Sequence, residues 1–186
     1  MTLQNHFFIA VPLPEEWKNQ MTVYLKELKG EFAFTRWVHP EDLHITLAFL
    51  GPVSEEKIAA IKDSMKVIAQ ETKDFSLTLD RLGTFGNPQS PRIFWHGVEE
   101  SADLNALRGL VYEACEKMGF ELDRRSFHPH ITVARKWQGP AFQHESSLSD
   151  LARTDTFKCK EIVLYQSHLH MLPKYEKIGI FPLKQE

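Results

Sequence analysis

Two cysteines, Cys115 and Cys159, are all that the 186 residues contain. With no C-x-x-C pair between them, neither a disulfide framework nor a thiolate metal centre is suggested, and a reducing cytoplasm is the expected setting. A surplus of cations is missing too. Lys and Arg number 22 against 25 Asp and Glu, a formal net charge of −3. That rules out a general nucleic-acid coat, because neutralising many phosphates takes a broad excess of Lys and Arg. Any phosphate site has to be local. Long apolar runs are also absent: Phe7 to Leu13 and Ile45 to Leu50 are strand-length, far short of the ~20 residues that span a bilayer, so no membrane helix and no membrane partner are expected. The opening Met1-Thr2-Leu3-Gln4-Asn5-His6 has no basic stretch leading into an apolar one, and no secretory signal is expected.

What the chain does have is core-forming residues. It is 42% hydrophobic, with 13 Phe and 4 Trp, enough for a globular fold that buries roughly 70% of its unfolded surface without staples. The length suits one domain or two tightly joined lobes.

Phe7-Phe8-Ile9-Ala10-Val11 reads as a core strand stopped at Pro12 and Pro14. Glu15 and Glu16 suit a helix start, and Trp17, Met21, Tyr24, Leu25 and Leu28 recur at helical spacing before Gly30. Trp37 to Pro40 reads as a loop, Leu43 to Leu50 as a second strand, and Ser54-Glu55-Glu56-Lys57 as a capped helix start. Phe75 to Leu79 alternates with period two, a half-buried strand, and Gly83 to Pro91 reads as a loop. The order then replays: strand Ile93 to Val98, helix Ala102 to Met118, strand Pro129 to Arg135. Gln138 to Asp155 is loop-like with one helical turn, and strands are expected over Cys159 to Ser167 and near Ile178 to Phe181, with a turn at Leu172-Pro173-Lys174.

Two strings occupy matched places in this replay, His44-Ile45-Thr46-Leu47 and His130-Ile131-Thr132-Val133. Residues 1–186 are therefore read as one two-lobed α+β domain, an internal duplication with a motif from each lobe at a shared cleft. On a strand, residues i and i+2 share a face, so His44 stands with Thr46 and His130 with Thr132, while Ile45, Leu47, Ile131 and Val133 anchor the strands from behind.

Opening a phosphodiester with water takes a base for the water proton and an acid for the departing oxygen. Two imidazoles, with a reference pKa of ~6.5, can supply both near neutrality. The hydroxyls of Thr46 and Thr132 can donate to the non-bridging oxygens, where charge grows in the transition state. No cofactor and no metal is needed. His39, His96, His128, His144, His168 and His170 lack the companion ligands of a zinc site. Arg36, Arg92, Arg124 and Arg125 could form a basic rim, and Trp37, Phe85 or Phe8 could stack a base, although aromatics on strands usually belong to the core. Gly83-Thr84-Phe85-Gly86 reads as a turn, not a nucleotide-binding loop.

On Phe7 to Ala10, Trp37 to Gly51 and Phe127 to Arg135 the sequence resembles the RNA 2′,3′-cyclic phosphodiesterases, also called the 2′-5′ RNA ligase family, within the two-histidine phosphoesterases. The resemblance implies two antiparallel-rich β-sheets forming a central cleft, with helices outside. It implies an RNA or oligonucleotide substrate ending in a 2′,3′-cyclic phosphate, hydrolysed to a 2′-phosphate. It also implies His44 as proton donor to the 3′-oxygen, His130 as proton acceptor from water, and Arg135 as a phosphate contact. Strict alternation puts Arg135 on the face opposite His130, so it reaches the cleft only where the strand ends, twists or bulges. The rival readings are 2′-5′ ligation of RNA ends at the same site and a non-catalytic module that holds RNA ends. The oligomeric state is open, with a monomer as the expectation.

Overall fold

The protein is described by a computed structural model covering residues 5–143 and 145–185. The Met1 to Gln4 part of the opening segment and His144 lie outside the described residues. In chain order the elements are β1 (His6–Pro12), α1 (Lys18–Glu31), β2 (Phe34–Trp37), β3 (His44–Pro52), α2 (Glu55–Glu71), β4 (Phe75–Asn87), β5 (Ser90–Val98), α3 (Ala102–Lys117), β6 (His130–Trp137), α4 (Glu145–Leu151), β7 (Thr156–Cys159), β8 (Glu161–Ser167) and β9 (Tyr175–Pro182). Short 3₁₀ turns at Glu15–Trp17 and Pro40–Asp42 lead into α1 and β3.

The strands run β7-β4-β5-β6-β3-β1-β8-β9, with β2 also paired to β6, and their pairings are antiparallel. The α+β class, with helices packed on an antiparallel sheet, is as expected. The two sheets meet edge to edge: β3 and β6 share one register pair, Ile45↔Ile131, which makes a single nine-stranded sheet of them. The halves also exchange strands. β4 follows β3 and α2 in the chain yet lies beside β5, while β8 follows α4 and lies beside β1.

Apolar periodicity accounts for the layering. Met21, Tyr24, Leu25 and Leu28 of α1, Ile61, Met65 and Ile68 of α2, and Leu104, Leu107, Val111 and Cys115 of α3 are buried in one core with Ile9, Ile45, Leu47, Ile131 and Val133. Ser54 and Ser101 cap α2 and α3 by accepting from the backbone N–H of Lys57 and Leu104. The opposite face of β1 and β8 carries a smaller cluster, Phe8, Ala10, Val163 and Tyr165, with Tyr175 against it. That face looks into the cleft.

Three segments differ from expectation. Phe34–Trp37 is a strand, because β6 offers it a partner edge. Gly83 to Pro91 is the arm of a β4–β5 hairpin that turns over residues 88–89. Its glycine is explained by packing: a Cβ on Gly83 would overlap the Trp95 indole, which lies flat against the strand. Helix α1 continues through Gly30 to Glu31.

Candidate active site

Each motif strand carries the same irregularity. Ile9 pairs with Ala48 but Ala10 with Thr46, which leaves Leu47 as an extra residue in β3. Phe94 pairs with Ala134 but Trp95 with Thr132, which leaves Val133 as an extra residue in β6. A bulge places two consecutive side chains on one face, and Leu47-Ala48 and Val133-Ala134 are both buried pairs. Beyond the bulge the alternation is inverted. Phe49 and Arg135, which occupy equivalent positions, therefore return to the face that carries His44, Thr46, His130 and Thr132. Arg135 lines one cavity with His44 and Thr46. The bulge meets the condition under which Arg135 reaches the cleft.

The two histidines are held alike. His44 Nδ1 lies 2.6 Å from the carbonyl oxygen of Asp42, and His130 Nδ1 lies 2.7 Å from that of His128. A carbonyl only accepts, so Nδ1 carries the proton in each ring and Nε2 is left for chemistry. His44 Nε2 is 3.1 Å from Thr46 Oγ1. Burial, opposed by the hydrogen bond to the Asp42 carbonyl and reinforced by any proton on His130 and by the Arg135 cation, holds His44 down at about 4. Burial, opposed by the His128 carbonyl and reinforced by Arg135 and His128, also lowers His130. Both imidazoles are neutral in the free site near pH 7. An anion placed between them and Arg135 favours the protonated forms.

Aromatic walls differ on the two sides. His44 sits among Phe8, Tyr165 and Tyr175, at ring-centroid distances of 4.8, 5.8 and 5.3 Å. His130 sits against Phe85 at 5.0 Å and Trp95 at 6.3 Å. Trp95 Nε1 is buried without a hydrogen-bond partner. Gly83 and Gly97 provide the flat bed for this indole, since a side chain on either would press on it. Two cavities flank the histidines. One, of about 280 Å³, runs from His44 past Arg135 to Lys174, and the other, of about 340 Å³, runs from His130 past Phe85 and Trp95 to Asp80 and Asn105.

Of the sequence candidates, His44, Thr46 and Arg135 line the first cavity, His130 lines the second, and Thr132 lies on the same strand face two residues on. Phe85 is in the cleft. Phe8 is buried under His44, and Trp37 turns inward with its Nε1 donating to the Phe34 carbonyl. Arg125 is paired with Asp123. Sequence reasoning missed Asp42. Its carboxylate, on a residue 3% exposed, accepts from the backbone N–H groups of Lys174 and Tyr175 at 2.8 and 3.1 Å. It thus fastens the β8–β9 connection to the residue whose carbonyl orients His44. An acidic residue two places before the motif histidine was the available signal. Among the described residues no cluster of three or more His, Cys, Asp or Glu side chains is arranged to hold a metal ion.

A family model described as the 2′-5′ RNA ligase superfamily matches residues 13–170. The chain is similar to an RNA 2′,3′-cyclic phosphodiesterase of Geobacillus stearothermophilus, 51% identical over 181 residues, which is 97% of this chain and 58% of that protein. It spans less than two thirds of that relative's length. It is also similar to an RNA 2′,3′-cyclic phosphodiesterase of Bacillus subtilis (strain 168), 35% identical over 185 residues, 97% of this chain and 98% of that one. Among solved structures, E. coli LigT complexed with 3′-AMP superposes with a TM-score of 0.79 at 27% identity, covering 98% of this chain and 99% of that one.

Proposed function

From the premise that the chain belongs to the 2′-5′ RNA ligase superfamily, we propose that it hydrolyses RNA or oligonucleotide 2′,3′-cyclic phosphate ends to 2′-phosphomonoesters, by general acid and base catalysis between two histidines. The observation that carries this is the shared geometry of the pair: two His-x-Thr strands joined at Ile45↔Ile131, each with its histidine Nδ1 tied to the carbonyl two residues before. The names of the Geobacillus and Bacillus relatives point the same way.

In the proposed step His130 Nε2 takes a proton from a water molecule as its oxygen bonds to phosphorus. The P–O3′ bond breaks, and protonated His44 gives its Nε2 proton to O3′. Thr46, Thr132 and Arg135 hold the non-bridging oxygens. Burial that makes His44 reluctant to keep a proton also makes it a strong donor once the substrate anion has charged it. No metal takes part. The matching bulges and the junction support one two-lobed domain with pseudo-twofold repeat; we place it in the cytoplasm, where its two free cysteines fit a reducing setting, and take it to act as a monomer. No helix among the described residues is long and apolar enough to cross a membrane.

The test is product analysis by phosphorus NMR and mass spectrometry on a short RNA ending in 2′,3′-cyclic phosphate, with a chelator present. A 2′-phosphomonoester is expected. A 3′-phosphate product overturns the leaving-group assignment, and binding without turnover leaves a module that holds RNA ends.

A further inference from the structure

Resting on that proposed activity, we infer that the outer part of the His44-side cavity is a subsite for a second phosphate, the internucleotide phosphodiester on the 5′ side of the terminal nucleotide, with Lys174 as its cation. The enzyme is then selective for oligonucleotide over mononucleotide ends.

Charge counting leads there. A cyclic phosphodiester carries one negative charge, and Arg135, with no ion-pair partner among the described residues, answers it. Lys174 lines the same cavity, again with no ion-pair partner among the described residues. Its backbone N–H is fixed to buried Asp42 at 2.8 Å, so its position over the cavity is built into the fold. Among the described residues no carboxylate lines this cavity, whose polar groups come from His6, His44, Thr46, Arg135, Ser167, His168, Lys174 and Tyr175. Two carboxylates bonded to its lining residues are already engaged, Asp42 by the backbone N–H groups of Lys174 and Tyr175 and Glu176 by His168 Nε2 at 2.7 Å. The second cavity has the opposite character. Asp80 and Glu100 line it, and its Arg81 is paired to Asp80 at 3.0 Å. A polyanion is repelled there.

The chemistry of the step favours the same side. If His44 protonates O3′, the ribose lies beside His44, and the attacking water approaches from His130. The terminal ribose continues through its 5′-oxygen to the next phosphate, so the chain leaves across the His44-side cavity and its unpaired lysine.

The experiment compares adenosine 2′,3′-cyclic phosphate with the dinucleotide that carries one further 5′ adenosine, and with that dinucleotide bearing a neutral methylphosphonate linkage. Expected is a kcat/KM about tenfold higher for the charged dinucleotide, as one charge-assisted contact provides. Its log kcat/KM should also fall with log salt more steeply than the mononucleotide's, by about 0.7 in slope. The methylphosphonate linkage and Lys174→Glu should each collapse the dinucleotide-to-mononucleotide ratio. A ratio near one in the unaltered protein overturns the inference and leaves the proposed function standing. So does a preference that survives both the neutral linkage and Lys174→Glu, which would assign it to the extra nucleoside. If neither cyclic phosphate is opened, the proposed function falls and the inference falls with it.

Discussion

Ile45 of β3 faces Ile131 of β6 in the one register pair that joins the two halves of the sheet. The two residues are 1% and 0% exposed, and each sits between the histidine and threonine of its own motif. The pair that closes the sheet also fixes the spacing of the site. Ile131→Ala removes buried methyl groups where neighbouring strands cannot collapse inward, and should lower unfolding free energy by roughly 2 to 5 kcal/mol. Ile131→Val should cost about 0.5 to 1.5 kcal/mol. Denaturant melts followed by circular dichroism check this, and an Ile131→Ala midpoint equal to the parent's would contradict the junction.

Arg135 reaches the cleft only because Val133 is an extra residue in β6. Arg135→Gln should lower kcat/KM by roughly 10- to 100-fold through loss of one charged donor to the reacting phosphate. Arg135→Lys should recover only part of that, since an ammonium lacks the two-pronged donor geometry. Steady-state kinetics on a cyclic-phosphate RNA decide it. Activity of Arg135→Gln equal to the parent would place the guanidinium outside the reaction.

His44 should titrate near pH 4 by NMR in the free protein, and its neutral ring should show the proton on Nδ1. The unfolded ring binds a proton below about 6.5. Stability linked to this residue is therefore complete above pH 6.5 and lost as pH falls from there toward 4. Inorganic phosphate should move the midpoint upward by offsetting the cations, and Arg135→Gln should do the same without added anion. A free-state midpoint near 6.5 would show that the burial is not felt.

Asp42→Asn exchanges a carboxylate oxygen for an amide that points a donor at a backbone donor. The amide oxygen can keep one of the two bonds to Lys174 and Tyr175, and the other should break at a cost of roughly 1 to 3 kcal/mol. Amide hydrogen exchange at those two residues should speed up, and kcat should fall with the looser His44. Unchanged exchange there would mean that the loop is held by something else.

Much of this could be read from residue order. The apolar runs marked β1, β3 and β5, the heptad-like spacings marked three helices, and the two motifs stood out because period-two and period-3.6 patterns report burial directly. The resemblance supplied Arg135, which alternation alone assigned to the wrong face. A bulge adds one residue without changing hydrophobicity, so Leu47-Ala48 and Val133-Ala134 look like ordinary strand. Gly83 suggested a turn because its reason lies across the hairpin in Trp95. β2 is only four residues long and exists because β6 has a free edge. Asp42 is an acid in a loop until folding brings the Lys174 and Tyr175 amides to it.

The most direct test is single-turnover hydrolysis of a short 2′,3′-cyclic-phosphate RNA by His44→Ala and His130→Ala. The account predicts that each alone loses about 10²- to 10⁴-fold in rate, and that the double variant is little worse than either, because the two act as one site. Near-parental turnover in either single variant would contradict it.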